Sequence, residues 1–144
     1  MSFAELASGA LERACSRFPV DGESSLTFLS EVLRKDGTIA HVPMLDFHAF
    51  KSPANLRIVE VIAQRLLPEG SILLDSGESY HLYGTKLLSE ENFRLFLARA
   101  LLFAPIVDRA YVAHQLIEGR CALRLSPGGG KITVPVVVAA FSGK

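Results

Sequence analysis

The chain carries no net charge, because fifteen Lys and Arg balance fifteen Asp and Glu over 144 residues. That balance excludes a positive field spread over the whole surface, of the kind histone-like or repressor-like nucleic-acid binders carry, so any polyanion site must be local. Long hydrophobic runs are also missing. The longest, LLFAPIV and VPVVVAAF, fall far short of the roughly 20 apolar residues that cross a bilayer. Acids stand near the N-terminus, where a signal peptide would place a basic and then an apolar start. No membrane contact is expected, and the expected location is cytoplasmic. Only two cysteines occur, Cys15 and Cys121, without CxxC spacing. Isolated thiols make neither a disulfide framework nor a zinc site, so both are expected free and buried. Familiar catalytic signatures are absent as well. There is no G-x-S-x-G, no H-E-x-x-H, and SPGGGK lacks the G-x-x-x-x-G-K-[ST] spacing of an ATPase phosphate loop.

What is present is a hydrophobic content of 49%, enough at this length to bury the core of one domain spanning residues 1–144. No internal repeat, low-complexity tract or linker divides it. AELASGALERACSRF has Leu6, Ala10, Leu11, Ala14 and Phe18 at helical spacing before Pro19, which predicts an amphipathic helix over Met1 to Phe18. Asp36-Gly37 between alternating stretches predicts a hairpin pairing Leu26 to Arg34 with Thr38 to Phe47. SPANLRIVEVIAQRLLPEG has a serine cap, a proline in the first turn and a Pro-Gly stop, which predict a helix. SILLD reads as a buried strand and YHLYG as its returning partner. A second capped helix starts at Ser89, with Glu90 and Glu91 where they complement the helix dipole, and Pro105 closes it. VDRAYVAHQLIEG fits a strand or a short helix; CALRLS, the turn PGGG and the final strand KITVPVVVAAF follow. This order predicts an α+β fold, a central mixed or antiparallel sheet flanked by helices.

Several residues in this frame can do chemistry. MLDFHAF puts Asp46 and His48 two apart at a strand end, so both leave one face of the sheet and can share a metal ion; a solvated strand end, with Asp46 capping or turning the chain before Ser52-Pro53, is the plainer account. SGESYH places Ser79 and His81 on one face of a strand after a glycine turn, where hydroxyl, imidazole and free backbone N–H groups can hold a phosphate. A hairpin turn with a locally bonded histidine is the plainer account. Asp108 in IVDRAY and Arg124 in ALRLS, alternating with Leu123 and Leu125, are each a routine solvated charge when taken singly. His41 and His114 read as core or surface histidines.

Taken in order, Asp46 with His48, then Ser79 with His81, then Val107-Asp108 before LRLS resemble the three motifs of the archaeo-eukaryotic primase superfamily: D-x-D/E, S-x-H and a later hydrophobic-D. The strings PMLDFH, SGESYHLYG and LRLS carry the resemblance, which covers about Leu26 to Ser126. It implies a small primase-polymerase-like domain with an RRM-like core. It further implies that Asp46, His48 and Asp108 occupy catalytic, metal-holding positions, that Ser79 and His81 contact an incoming triphosphate, and that Arg124 neutralises it. The implied cofactor is a divalent metal, Mn²⁺ or Mg²⁺, and the implied partners are a nucleoside triphosphate and nucleic acid. His48 departs from the pattern, standing where the family has a second carboxylate. Imidazole suits Mn²⁺, Zn²⁺ or Fe²⁺ better than hard Mg²⁺ and adds no negative charge. Three consequences stay open: a softer metal, a single metal, or a nucleotide pocket kept without polymerisation. The alternative from another class is an inactive binding or assembly module, in which KITVPVVVAAF pairs with a protein partner or with its own copy.

Overall fold

The computed structural model describes residues 24–128 and 130–143. The helix expected over Met1 to Phe18, and Cys15 with it, lies outside the described residues. Eight strands are described: β1 (Thr27–Leu29), β2 (Glu31–Leu33), β3 (Ile39–His41), β4 (Met44–Asp46), β5 (Gly70–Asp75), β6 (Tyr80–Gly84), β7 (Ala122–Arg124) and β8 (Val136–Ser142). Three α-helices accompany them: α1 (Pro53–Leu66), α2 (Glu90–Ala100), continued by a 3-10 turn over Leu101–Phe103, and α3 (Arg109–Glu118). The fold is α+β as expected. The central sheet runs β4-β6-β5-β8 and is antiparallel throughout.

The Asp-Gly hairpin forms, but only as β2 against β3. Thr38 bonds Asp36 Oδ1 through both its N–H and its hydroxyl, and Gly37 takes the positive φ of 83° that closes the turn. Each long strand expected here breaks once. Ser30 sends its N–H to Cys121 O at 2.9 Å, and its carbonyl accepts from Val42 N at 2.8 Å. β1 therefore pairs with β7 instead of continuing the hairpin. On the other arm Pro43 has no N–H to give a ladder, and past it β4 joins β6 in the central sheet.

The helices begin where their caps are. Ser52 Oγ accepts from Asn55 N with Pro53 in the first turn, and Ser89 Oγ accepts from Asn92 N ahead of two acids. The ambiguous segment after Val107 is the helix α3. Asp108 caps its first turn, and Gly119, left-handed at φ 74°, ends it. α1 packs on β5, α3 on β4, and α2 against α3 and β3.

Register explains how one sheet carries both a core and a polar row. Leu45, Leu82 and Leu73 lie side by side across β4, β6 and β5, and all three are fully buried. Burying each contributes on the order of 2 kcal/mol. One residue along, and so on the opposite face, the row reads Asp46, His81, Leu74. His41 is a core histidine, bonded to Ser30 Oγ and stacked on Phe93, and His114 is exposed. Cys121 is a free, buried thiol, as expected. No described helix is long and apolar enough to cross a membrane.

Candidate functional site

The polar row brings two of the expected residues into direct opposition. Asp46 ends β4 and faces His81 on β6, with His81 Nε2 3.7 Å from Asp46 Oδ1. The third acid arrives through the backbone. Phe47 bridges to Val107, Asp108 N donates to Asp46 O at 3.0 Å, and His48 N donates to Ile106 O at 2.8 Å. These bonds seat the start of α3 at the end of β4. Asp108 Oδ1 accepts from the N–H groups of Ala110 and Tyr111, at 2.9 and 3.0 Å. Its second carboxyl oxygen has no bond to a described residue.

Electrostatics at this corner follow from burial and like charge. Burial, and then the neighbouring Asp108 carboxylate, push the Asp46 carboxyl up to about 7, with Lys131 opposing the shift. Burial, and then the Arg124 guanidinium, push His81 down to about 4. The ring is therefore neutral at neutral pH, and the 3.7 Å approach is not a salt bridge. His81 Nδ1 is buried and has no hydrogen-bond partner among the described residues.

The glycine turn is more fully engaged than its sequence suggests. Ser76 N donates to Ser79 O and Gly77 N to Asp75 Oδ1, so these two N–H groups close the turn itself and do not face a ligand. Ser79 Oγ accepts from Ala49 N at 3.1 Å, which leaves its hydroxyl hydrogen to donate elsewhere. Arg124 points away from the core side of β7. Its Nη1 donates to Ser126 O at 2.5 Å and Thr133 O at 2.6 Å, and its Nη2 to Ser76 O at 3.2 Å. Neutral carbonyls hold the guanidinium in place without cancelling its charge.

His48 is the residue the fold does not bring in. It lies past the end of β4 with an exposed side chain that makes no hydrogen bond or ion pair with a described residue. Among the described residues, no group of three His, Cys, Asp or Glu side chains is arranged to hold a metal ion. A metal at this corner would have two close carboxylates, Asp46 and Asp108, whose mutual repulsion a cation relieves. Its other ligands would be phosphate oxygens and water, which is how Mg²⁺ and similar hard ions are commonly held. The donor set fits a metal on those terms.

Two further side chains belong to these surroundings. Tyr83, two residues after His81 and on its face of β6, has a buried hydroxyl without a partner among the described residues and packs edge-on against Phe28. Strand alternation could have found it. Lys131, which acts on Asp46, could not be found that way, because only the folded turn carries it there.

Searches of curated proteins and of solved structures returned no match. A family model does match, over residues 4–133, most of the chain. That match spans the corner where Asp46, His81 and Asp108 meet, and the chain belongs to the AEP-like family, archaeo-eukaryotic primase 1D-like.

Proposed function

We propose that the polar face of the central sheet binds a nucleoside triphosphate together with a divalent metal ion, and that the site serves nucleotidyl transfer to a nucleic-acid 3′ hydroxyl. The observation that carries this reading is the meeting of the first and third motif acids, Asp108 N on Asp46 O, beside His81. Asp46 and Asp108 would hold the metal, with His48 left out, and two carboxylates with phosphate oxygens suit either Mg²⁺ or Mn²⁺. The bound metal would align the phosphates and neutralise charge developing on them.

The remaining work falls to groups already in position. His81, neutral and with a buried Nδ1 that bonds no described residue, would donate one N–H to a phosphate oxygen. Ser79, its oxygen held by Ala49 N, would donate its hydroxyl hydrogen to another. Arg124, fixed by carbonyls, adds positive field. Phosphoryl transfer needs little covalent help from protein, so positioning and charge of this kind suffice.

Titration calorimetry with Mn²⁺, then with ATP in the presence and absence of Mn²⁺, tests the reading on wild type and His81→Ala. Metal-dependent ATP binding that the variant loses is expected. Equal binding by both proteins, or binding by neither, refutes it. For the transfer step, primer extension with Mn²⁺ should disappear in Asp46→Ala, and extension undiminished in that variant removes Asp46 as a ligand.

One observation favours a second reading, an assembly module. β8 is an edge strand of the central sheet among the described residues, and it exposes Val136, Val137 and Val138. Light scattering that finds a stable dimer indifferent to nucleotide would support that reading instead.

A further inference from the structure

Arg124 and Lys131 both bond the turn that leads to Ser79, and they are held very differently. Arg124 is fixed, with Nη1 and Nη2 both engaged by backbone carbonyls. Lys131 ends in an ammonium whose bond is to the Glu78 carboxylate on the SGES turn, and both side chains are well exposed, at 46% and 79%.

The backbone around Lys131 is anchored close to that turn. Gly128 and Lys131 exchange two hydrogen bonds, at 2.8 and 3.1 Å. Two residues on, Thr133 Oγ1 donates to Ser76 O at 3.2 Å, and Thr133 O accepts from Arg124. Gly77 makes the approach possible, since a Cβ there would lie 2.1 Å from Thr133 Oγ1. Lys131 thus stands over the turn that carries Ser79 and leads into His81, with its ammonium on Glu78 of that turn and its backbone tied to Gly128.

Resting on the nucleotide-binding reading, we propose that Lys131 is a phosphate-binding residue of this site, an ammonium that exchanges its partner Glu78 for the polyphosphate of the ligand. Exchange costs little, because an exposed ion pair is worth about 0–1 kcal/mol. Polyphosphate offers several charged acceptors, and charge-assisted bonds to them are stronger than neutral ones. A lysine on a flexible stem suits this task, and a guanidinium already bound to three carbonyls does not. Glu78 plays the opposing part: once Lys131 leaves it, an unpaired carboxylate stays near the bound anion and weakens binding.

The two residues therefore differ in sign, which a purely structural pair would not. In calorimetry with ATP and Mn²⁺, and separately with inorganic triphosphate, Lys131→Gln should bind about tenfold more weakly, the loss of one charge-assisted bond. Glu78→Gln should bind about two- to fivefold more tightly at low salt, since the competing exposed pair is gone. The double variant should match Lys131→Gln. Wild-type affinity in Lys131→Gln, or equal weakening in both single variants, overturns the assignment while leaving the nucleotide site standing if His81→Ala still abolishes binding. Failure of the wild type to bind either triphosphate overturns both.

Discussion

Replacing Asp46 with Asn should make the metal-free protein more stable at pH 8, although it removes a carboxylate proposed to hold the metal. The Asp46 carboxyl titrates at about 7 in the folded chain, against about 3.9 when unfolded. Between those values the native state keeps a proton that the unfolded chain releases, so stability falls as pH rises through the window. His81 has the opposite slope. It titrates at about 4 when folded and about 6.5 when unfolded, so stability rises with pH between those values. From pH 4 to 6.5 the two nearly cancel in wild type, and only the variant exposes either one. Each titration contributes at most about 1.4 kcal/mol per pH unit. With 32% of the Asp46 side chain open to water, screening cuts the total for Asp46 to about 2 kcal/mol. Urea denaturation at pH 4.5, 6 and 8 without divalent ions measures it, because Asn matches the protonated carboxyl in shape. The two proteins should agree at pH 4.5 and separate progressively, with Asp46→Asn ahead at pH 8. A variant equal to or weaker than wild type at pH 8 refutes the argument that burial and Asp108 hold this carboxyl in a costly charged state.

Three other substitutions probe the same corner by thermal or urea denaturation. Asp108→Asn keeps the cap of α3 and should change stability little at neutral pH, while Asp108→Ala should lose about 1 kcal/mol; equal losses would mean that the charge, not the cap, is what stabilises. Gly77→Ala faces both a φ of 104° and the Thr133 hydroxyl, and should cost more than about 2 kcal/mol, of which Thr133→Ala restores only part, since the strained φ remains. Arg124→Lys cannot reproduce a fork bonded to Ser76, Ser126 and Thr133, and a loss of about 2 kcal/mol is expected; a neutral result would show those carbonyls equally well satisfied by water.

The elements that could be read from the sequence are those whose causes are local. Ser52-Pro53 starts α1 and Ser89 starts α2 through side chains three residues from the N–H groups they cap, and the Asp36-Gly37 turn is closed by its own neighbours. The breaks at Ser30 and Pro43 are not local. Ser30 leaves the hairpin because Cys121, some ninety residues on, accepts its N–H and gives β1 another partner, and nothing within the strand's own pattern announces that. The site divides the same way. Alternation puts Asp46 on one face of its strand and predicts Ser79 with His81 on one face of theirs, but β6 begins at Tyr80 and leaves Ser79 in the turn; only the β4–β6 register sets Asp46 opposite His81, and a slip of one residue would have put Leu82 there. His48 shows the limit of the alternation argument, because the strand ends at Asp46 and the face it defined ends with it. Asp108 is the instructive case. A helix-capping aspartate and a motif aspartate look like rival explanations of one residue, but a carboxylate has two oxygens. Oδ1 bonds the first turn of α3 and so fixes the rotamer that leaves the other oxygen free. The cap is therefore part of how the site is built, and the prediction for Asp108→Asn follows from it: the helix keeps its cap, and the corner loses the charge that adds to burial in pushing Asp46 up.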